Sequence, residues 1–262
     1  MLFPTSKLEG LRIDASDGEL GKIKDIYFDD KKWTIRYVVA DTRKWLPGKK
    51  VLLSPASLKE IPFDSDKIEV DLDKETIRNA PPIEDHEPVS VRNEMELSRY
   101  YGWSPYWEGE YLWGTMGYPQ IMEPGANPTM MADEKMEQEK KAEDNPAHPD
   151  HNLRSVREVA GEKSGYRVFA QNQEIGHLED FSIQQETYKL QYMVINTGSW
   201  LNEKLRILST DWIESIDWEN HIVKVDIDPG QLKNAPDYDY EHEVTRDVEE
   251  HMHQLYAKPF QI

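Results

Sequence analysis

Two stretches set histidine beside carboxylate: "HPDH" offers His148, Asp150 and His151, and "EEHMH" offers His251 and His253 next to acids. Imidazole with carboxylate is a donor set for a transition metal. The first stretch, however, lies among prolines in polar chain and the second near a chain end, whereas a metal site needs ligands held in fixed geometry. Adventitious binding or none is the reading, and no metal ligand is assigned. Acid–base chemistry needs two carboxylates held in one cleft in unlike environments, and no spacing among the 50 Asp and Glu marks such a pair. Cysteine is absent, which removes thiol nucleophiles, thiolate metal sites and disulfides together. "GTMGYPQ" at 114–120 has only two glycines and lacks the strand-then-helix setting of a phosphate loop. No catalytic or cofactor-binding residue is therefore assigned, and the chain is expected not to be an enzyme.

Aromatic side chains remain as carriers of function. "LSRYYGWSPYWEGEYLWG", residues 97–114, holds Tyr100, Tyr101, Trp103, Tyr106, Trp107, Tyr111 and Trp113. Such rings bury large areas and anchor interfaces, so something must cover them, either this chain or a partner. Trp103 and Trp107 here, with Trp45 and Trp200 in two matching loops, are the candidate partner-binding residues. Each of the four is equally accounted for as a packed core aromatic.

What must position these residues is a duplication. Shifted by 155 residues, Glu19–Pro81 aligns without a gap on Glu174–Pro236, and 18 of the 63 positions are identical. Among the identities are Gly21/Gly176, Asp25/Asp180, Tyr37/Tyr192, Thr42/Thr197, Trp45/Trp200, Leu53/Leu208, Ser54/Ser209 and Asp71/Asp226. The same register reaches Val89/Val244 and Tyr101/Tyr256, which predicts a C-terminal helical tail on each unit. No histidine recurs to activate the paired threonines, and the paired aspartates suit strand or turn positions.

Within each unit apolar residues alternate with a period of two. Trp33, Ile35, Tyr37 and Val39 share one face, as do Tyr188, Leu190, Tyr192 and Val194. "DDKK" and "QQET" read as hairpin turns, and "DKETIRNAPP" as a short helix capped by Asp73 and stopped by proline. Residues 91–101 have Val91, Met95 and a Ser98/Tyr101 edge at helical spacing, a short helix laid on the preceding unit. About six short strands in roughly 75 residues indicate an all-β fold of two small, closed or nearly closed barrels without long edges.

These runs, "SKLEG", "DGELGKIKDIYFDD", "WTIRYVVADTRKWLPGKKVLLSP" and "DLDKETIRNAPP", with "EIGHLEDFSI", "YKLQYMVINTGSWLNEKLRILS" and "DIDPGQLKNAP" in the second unit, resemble the PRC-barrel family. That family is named for the cytoplasmic domain of the photosynthetic reaction centre H subunit and includes the C-terminal domain of a ribosome maturation factor. The resemblance implies protein-binding barrels, since the first caps a membrane complex and the second recruits a ribosomal protein. The chain departs from the first in lacking an N-terminal membrane helix and from the second in lacking a preceding RNA-processing domain.

The expected organisation is repeat one with its tail at 1–101, an aromatic and then flexible acidic linker at 102–152, and repeat two with its tail at 153–262. The net charge of −19 divides as −3, −7 and −9 over these segments, which repels phosphate backbones and excludes direct nucleic-acid binding. No run reaches the roughly 18 apolar residues of a spanning helix. The leading expectation is a cytoplasmic adaptor or scaffold for a protein partner, one that is basic or belongs to a membrane-associated complex. The alternatives are a peripheral accessory of a membrane or photosynthetic complex and a small-ligand or metal-binding barrel. A homo-oligomer, and a pseudo-twofold facing of the two barrels, stay open.

Overall fold

The β-branched and aromatic runs form strands where the alternation places them. A computed structural model describes residues 2–60, 65–83, 89–122, 153–161, 165–198, 204–232, 234–240 and 244–258. The first repeat has β1 (Leu2–Pro4), β2 (Arg12–Ala15), β3 (Gly18–Asp29), β4 (Thr34–Asp41), β5 (Val51–Leu53) and β6 (Lys67–Glu69), then α1 (Lys74–Asn79) and α2 (Val91–Tyr101). The second has β7 (Leu153–Ser155), α3 (Val156–Val159), β8 (Arg167–Ala170), β9 (Gln173–Gln184), β10 (Lys189–Asn196), β11 (Leu205–Ser209), β12 (Ile213–Asp217) and β13 (Ile222–Val225), then α4 (Pro229–Leu232) and α5 (Arg246–Leu255). Asp73 caps α1 through the Thr76 amide at 2.6 Å, and Ser90 caps α2 through Asn93. Helix α5 begins 155 residues after α2, so the tail belongs to the duplicated unit.

Identities between the repeats mark its joints. Gly21 and Gly176 take φ of 149° and 148°, and a Cβ there would stand 2.0 Å and 2.2 Å from the carbonyl oxygens of Asp41 and Asn196. Only glycine lets β3 and β9 pass so close to the ends of β4 and β10. Ser54 and Ser209 accept hydrogen bonds from the amides of Ala56 and Asp211, capping matched 3-10 turns that follow β5 and β11.

The strands form one continuous sheet. Its main path runs β12-β13-β8-β9-β10-β4-β3-β2-β6, with β1 on β9, β11 on β10, β5 on β4 and β7 on β3. The repeats meet where Thr34 of β4 opposes Lys189 of β10, which are equivalent positions. Ile35 donates to the Tyr188 carbonyl at 2.9 Å, and Leu190 donates to that of Trp33 at 2.7 Å. A self-complementary pairing of this kind is the signature of a twofold axis. Phe28, Trp33 and Phe181 cluster beside it, with ring centroids 5.3–5.8 Å apart, inside one core that both repeats fill.

The N-terminal strands cross this axis. β1 pairs with β9 of the second repeat, Pro4 opposite Ser182, while β7 pairs with β3 of the first, Ser155 opposite Tyr27, the equivalent register. The recurring aspartates pin the exchange. Asp180 accepts from the Thr5 hydroxyl and, at 3.2 Å, from the Ser6 amide, and Asp25 accepts from the Ser155 hydroxyl at 2.8 Å. Burial pushes both carboxyls above the usual carboxylate range.

Two expectations need correcting. The described strands do not close into a ring, because the 3-10 turns redirect the chain after β5 and β11, and the path stays open at β12 and β6. Nor do Trp33, Ile35, Tyr37 and Val39 share one face. The ladder shifts between Tyr27↔Tyr37 and Phe28↔Ile35, a bulge at Arg36, so Ile35 enters the central core while Tyr37 and Val39 face α2. The same bulge recurs at Gln191, separating Leu190 from Tyr192 and Val194.

Candidate functional site

Helix α2 ends at Gly102, which takes the left-handed conformation with φ 73° and turns the chain back over the first repeat. Residues 102–122 then lie across the molecule as a strap. The Trp103 indole donates to the Ser57 hydroxyl at 2.6 Å and stacks on Tyr101 at 4.4 Å. The Trp113 indole donates to the Thr187 carbonyl at 2.7 Å, in the hairpin turn of the second repeat. Lys32 donates to the Tyr111 carbonyl at 2.5 Å. Held at both repeats, the strap covers a buried polar cluster.

Glu94 of α2 is at the centre of that cluster, 1% exposed. One carboxylate oxygen accepts from the Tyr37 hydroxyl of β4 at 3.0 Å and from the Tyr106 hydroxyl of the strap at 2.6 Å. Burial outweighs these hydrogen bonds and the nearby Arg36 charge, raising its pKa from 4.5 to about 7. The bulge aims Arg36 inward, where it is fully buried between the Tyr106 and Trp113 rings, 4.0 Å and 4.8 Å from their centroids. Its guanidinium donates to Asp29 at 2.7 Å. Burial alone would raise the Asp29 carboxyl, but the Arg36 charge and hydrogen bond, with the amides of Lys31 and Lys32, hold it below the usual range. The hydroxyls of Tyr37 and Tyr106 are pushed up by burial and by Glu94, so both stay donors.

In the second repeat the equivalent Tyr192 hydroxyl donates to Glu249 of α5 at 2.7 Å. A Tyr–Glu hydrogen bond therefore clasps each tail helix to its sheet. Among the described residues the first clasp has the strap above it, and Arg36 stands beside its tyrosine where the second repeat has Gln191. The sequence reading assigned no role to Glu94, Arg36, Tyr37 or Tyr106. The recurrence of Tyr37/Tyr192 and Glu94/Glu249 in one register is the signal that marks the clasp.

The four candidate tryptophans are not brought together. Trp103 is 2% exposed, and Trp107 is half-buried edge-on to Tyr106. Trp45, half-buried, donates to the Leu20 carbonyl at 2.7 Å, with Arg78 over its ring. Trp200, "HPDH" and the acidic part of the linker lie outside the described residues. His253 is buried edge-on against Trp212, and His251 is exposed. Among the described residues no three His, Asp or Glu side chains converge as metal ligands, and no helix is long and apolar enough to cross a membrane.

What the strap leaves outside is as distinctive as what it buries. Among the described residues the exposed large apolar side chains are Tyr100, Tyr111, Tyr118 and Ile121, at 40%, 65%, 49% and 48%, all in or beside the strap. The model of the PRC-barrel domain matches the sequence twice, at residues 2–77 and 163–232. The chain belongs to the PRC-barrel family. The two matched PRC-barrel regions are the halves that the pseudo-twofold axis relates, and the strap falls between them. No curated protein matches the chain.

Proposed function

We propose that this PRC-barrel protein is a non-enzymatic cytoplasmic adaptor that docks a protein partner on the outer face of the strap. Each repeat is read as one barrel-type unit, and the exchanged strands lock the pair into a rigid platform. The observation that carries the reading is the confinement, among the described residues, of the exposed large apolar side chains to Tyr100, Tyr111, Tyr118 and Ile121. Exposed aromatic surface on one short segment is the composition of an interface core. Glu108 and Glu110 adjoin Tyr111, and the whole chain carries −19, so the partner is a folded protein whose apolar patch is rimmed by lysine and arginine. Trp103 contributes by holding the strap down, and half-buried Trp107 lies at the edge of the contact surface.

Affinity capture from native extract, followed by titration calorimetry with the purified captured protein, tests this reading. Replacing Tyr100, Tyr111, Tyr118 and Ile121 by serine removes the exposed Tyr100 hydrogen bond to the Thr76 carbonyl and its edge contact with Tyr101 but no buried side chain, and the variant is expected to unfold close to the native temperature while binding at least about tenfold more weakly. A folded variant that binds with native affinity overturns the proposal.

A further inference from the structure

The second repeat ends its sheet differently from the first. β12 is the last strand of the path, and among the described residues no strand pairs with its outer side. In the equivalent stretch of the first repeat the described residues contribute the Leu58 to Val70 bridge and an exposed Lys59–Glu69 ion pair at 3.2 Å. In β12 the residues Glu214, Ser215 and Asp217 are exposed, while Ile213 and Ile216 are half-buried against the core, so one face of the strand is open to solvent and the other is partly covered. An open groove of about 650 Å³ lies on the β12–β13 hairpin, its lining including Ile216, Asp217, Trp218, Glu219, Ile222 and Lys224.

The groove floor is rigid. Trp218 is held under the Arg154 guanidinium, 4.1 Å from its ring, and Arg154 is paired with Asp30 of the other repeat at 3.2 Å. Asp217 is tied to the turn through the Asn220 amide at 3.0 Å. Glu214 and Glu219, by contrast, make no ion pair among the described residues. Three acids against Lys224 give the edge a negative field, and half-buried Ile213 and Ile216 lie on the face of β12 opposite Asp217. An unpaired strand edge offers main-chain hydrogen bonds, and pockets beside it choose which side chains a docking strand carries.

We propose that the outer edge of β12 takes an extended, basic segment of a partner protein as an added strand. Lysine or arginine side chains of that segment face Glu214, Asp217 and Glu219, and its alternate apolar side chains, on the opposite face, rest on half-buried Ile213 and Ile216. This site is separate from the strap.

The test uses the full chain and a peptide of about ten residues that alternates lysine with valine and threonine. Two further versions are N-methylated at alternate residues, one in each register, and a fourth replaces lysine by glutamate. Binding is followed by amide hydrogen exchange resolved by residue. The expected result is saturable binding of the lysine peptide with slowed exchange in Ile213–Asp217, none with the glutamate peptide, and loss of binding in at least one N-methylated register. The exposed pair Glu214→Lys and Glu219→Lys should weaken binding about tenfold without changing unfolding, while the strap variant with four serines should bind the peptide as the native chain does. Absence of saturable binding, retention of both N-methylated peptides, or protection that appears only on residues 100–121 overturns the proposal.

Discussion

Replacing Glu94 by glutamine should make the protein more stable at pH 8 while leaving it nearly unchanged at pH 5. In the folded chain burial raises the Glu94 carboxyl from 4.5 to about 7, although Tyr37, Tyr106 and Arg36 all favour its ionised form. The unfolded chain releases the same proton near 4.5, so between those pH values the folded state binds more protons and stability falls as pH rises. The contribution is whole below about pH 4.5 and is lost as pH passes 7. At 1.36 kcal/mol for each tenfold change, the span amounts to about 3 kcal/mol at pH 8, an upper figure because Arg36 can relax toward the new charge. Glutamine keeps an oxygen to accept from both tyrosine hydroxyls and has nothing to ionise. Urea unfolding followed by tryptophan fluorescence from pH 5 to 8.5 gives the difference between the two proteins directly, and groups common to both cancel. A difference that grows in favour of Glu94→Gln by 1–3 kcal/mol across this range supports the cluster as described. Parallel profiles, or a variant that loses stability equally at every pH, refute it.

Two other perturbations probe the frame. Gly21→Ala and Gly176→Ala each drive a Cβ to about 2 Å from a carbonyl oxygen and should cost more than about 2 kcal/mol in thermal or urea unfolding, whereas Gly10→Ala, with φ 81° but open space, should cost about 1 kcal/mol; equal costs at all three sites would mean that close strand approach is not what selects glycine. Asp180→Ala leaves buried donors at Thr5 and Phe181 without this acceptor, along with the part-buried Ser6 amide, and should cost about 1–3 kcal/mol, more than Asp25→Ala, which is less buried. Amide exchange should quicken first at Leu2–Ser6, and unchanged exchange there would disconnect Asp180 from the strand exchange.

How far the sequence could be read depends on how local each feature is. The 155-residue register was legible because the joints it marks are local: a glycine where two strands nearly touch, a serine capping a 3-10 turn, an aspartate capping α1. The exchange of β1 and β7 was not, because those strands fall outside the gapless register and pair with residues far along the chain, Leu2 with Gln184 and Ser155 with Tyr27. Nothing local marks Glu94, since the side chains that bury it come from Tyr106, beyond a chain reversal, and from a β4 bulge that alternation cannot place. The tryptophans invited a docking assignment for the same reason. Aromatic density says that cover is needed, and only the tertiary structure says that Ser57 and Thr187 provide it for Trp103 and Trp113.

The tandem arrangement also explains why the two distinctive surfaces are single. In a homodimer built on the same twofold pairing, any patch on one subunit would be present twice. Here the pairing is within one chain, so the repeats are free to diverge around a shared frame. Arg36 on one side answers to Gln191 on the other, and the Lys59–Glu69 edge answers to the acidic edge of β12. The strap depends on that divergence, because Trp113 needs the Thr187 turn of a repeat that carries no strap of its own among the described residues. A symmetric pair would have to fit a second strap across the same axis. The fused pair sets the aromatic face beside the strap and the acidic outer edge of β12 on one frame, so the two proposed partners would be held in a fixed relation.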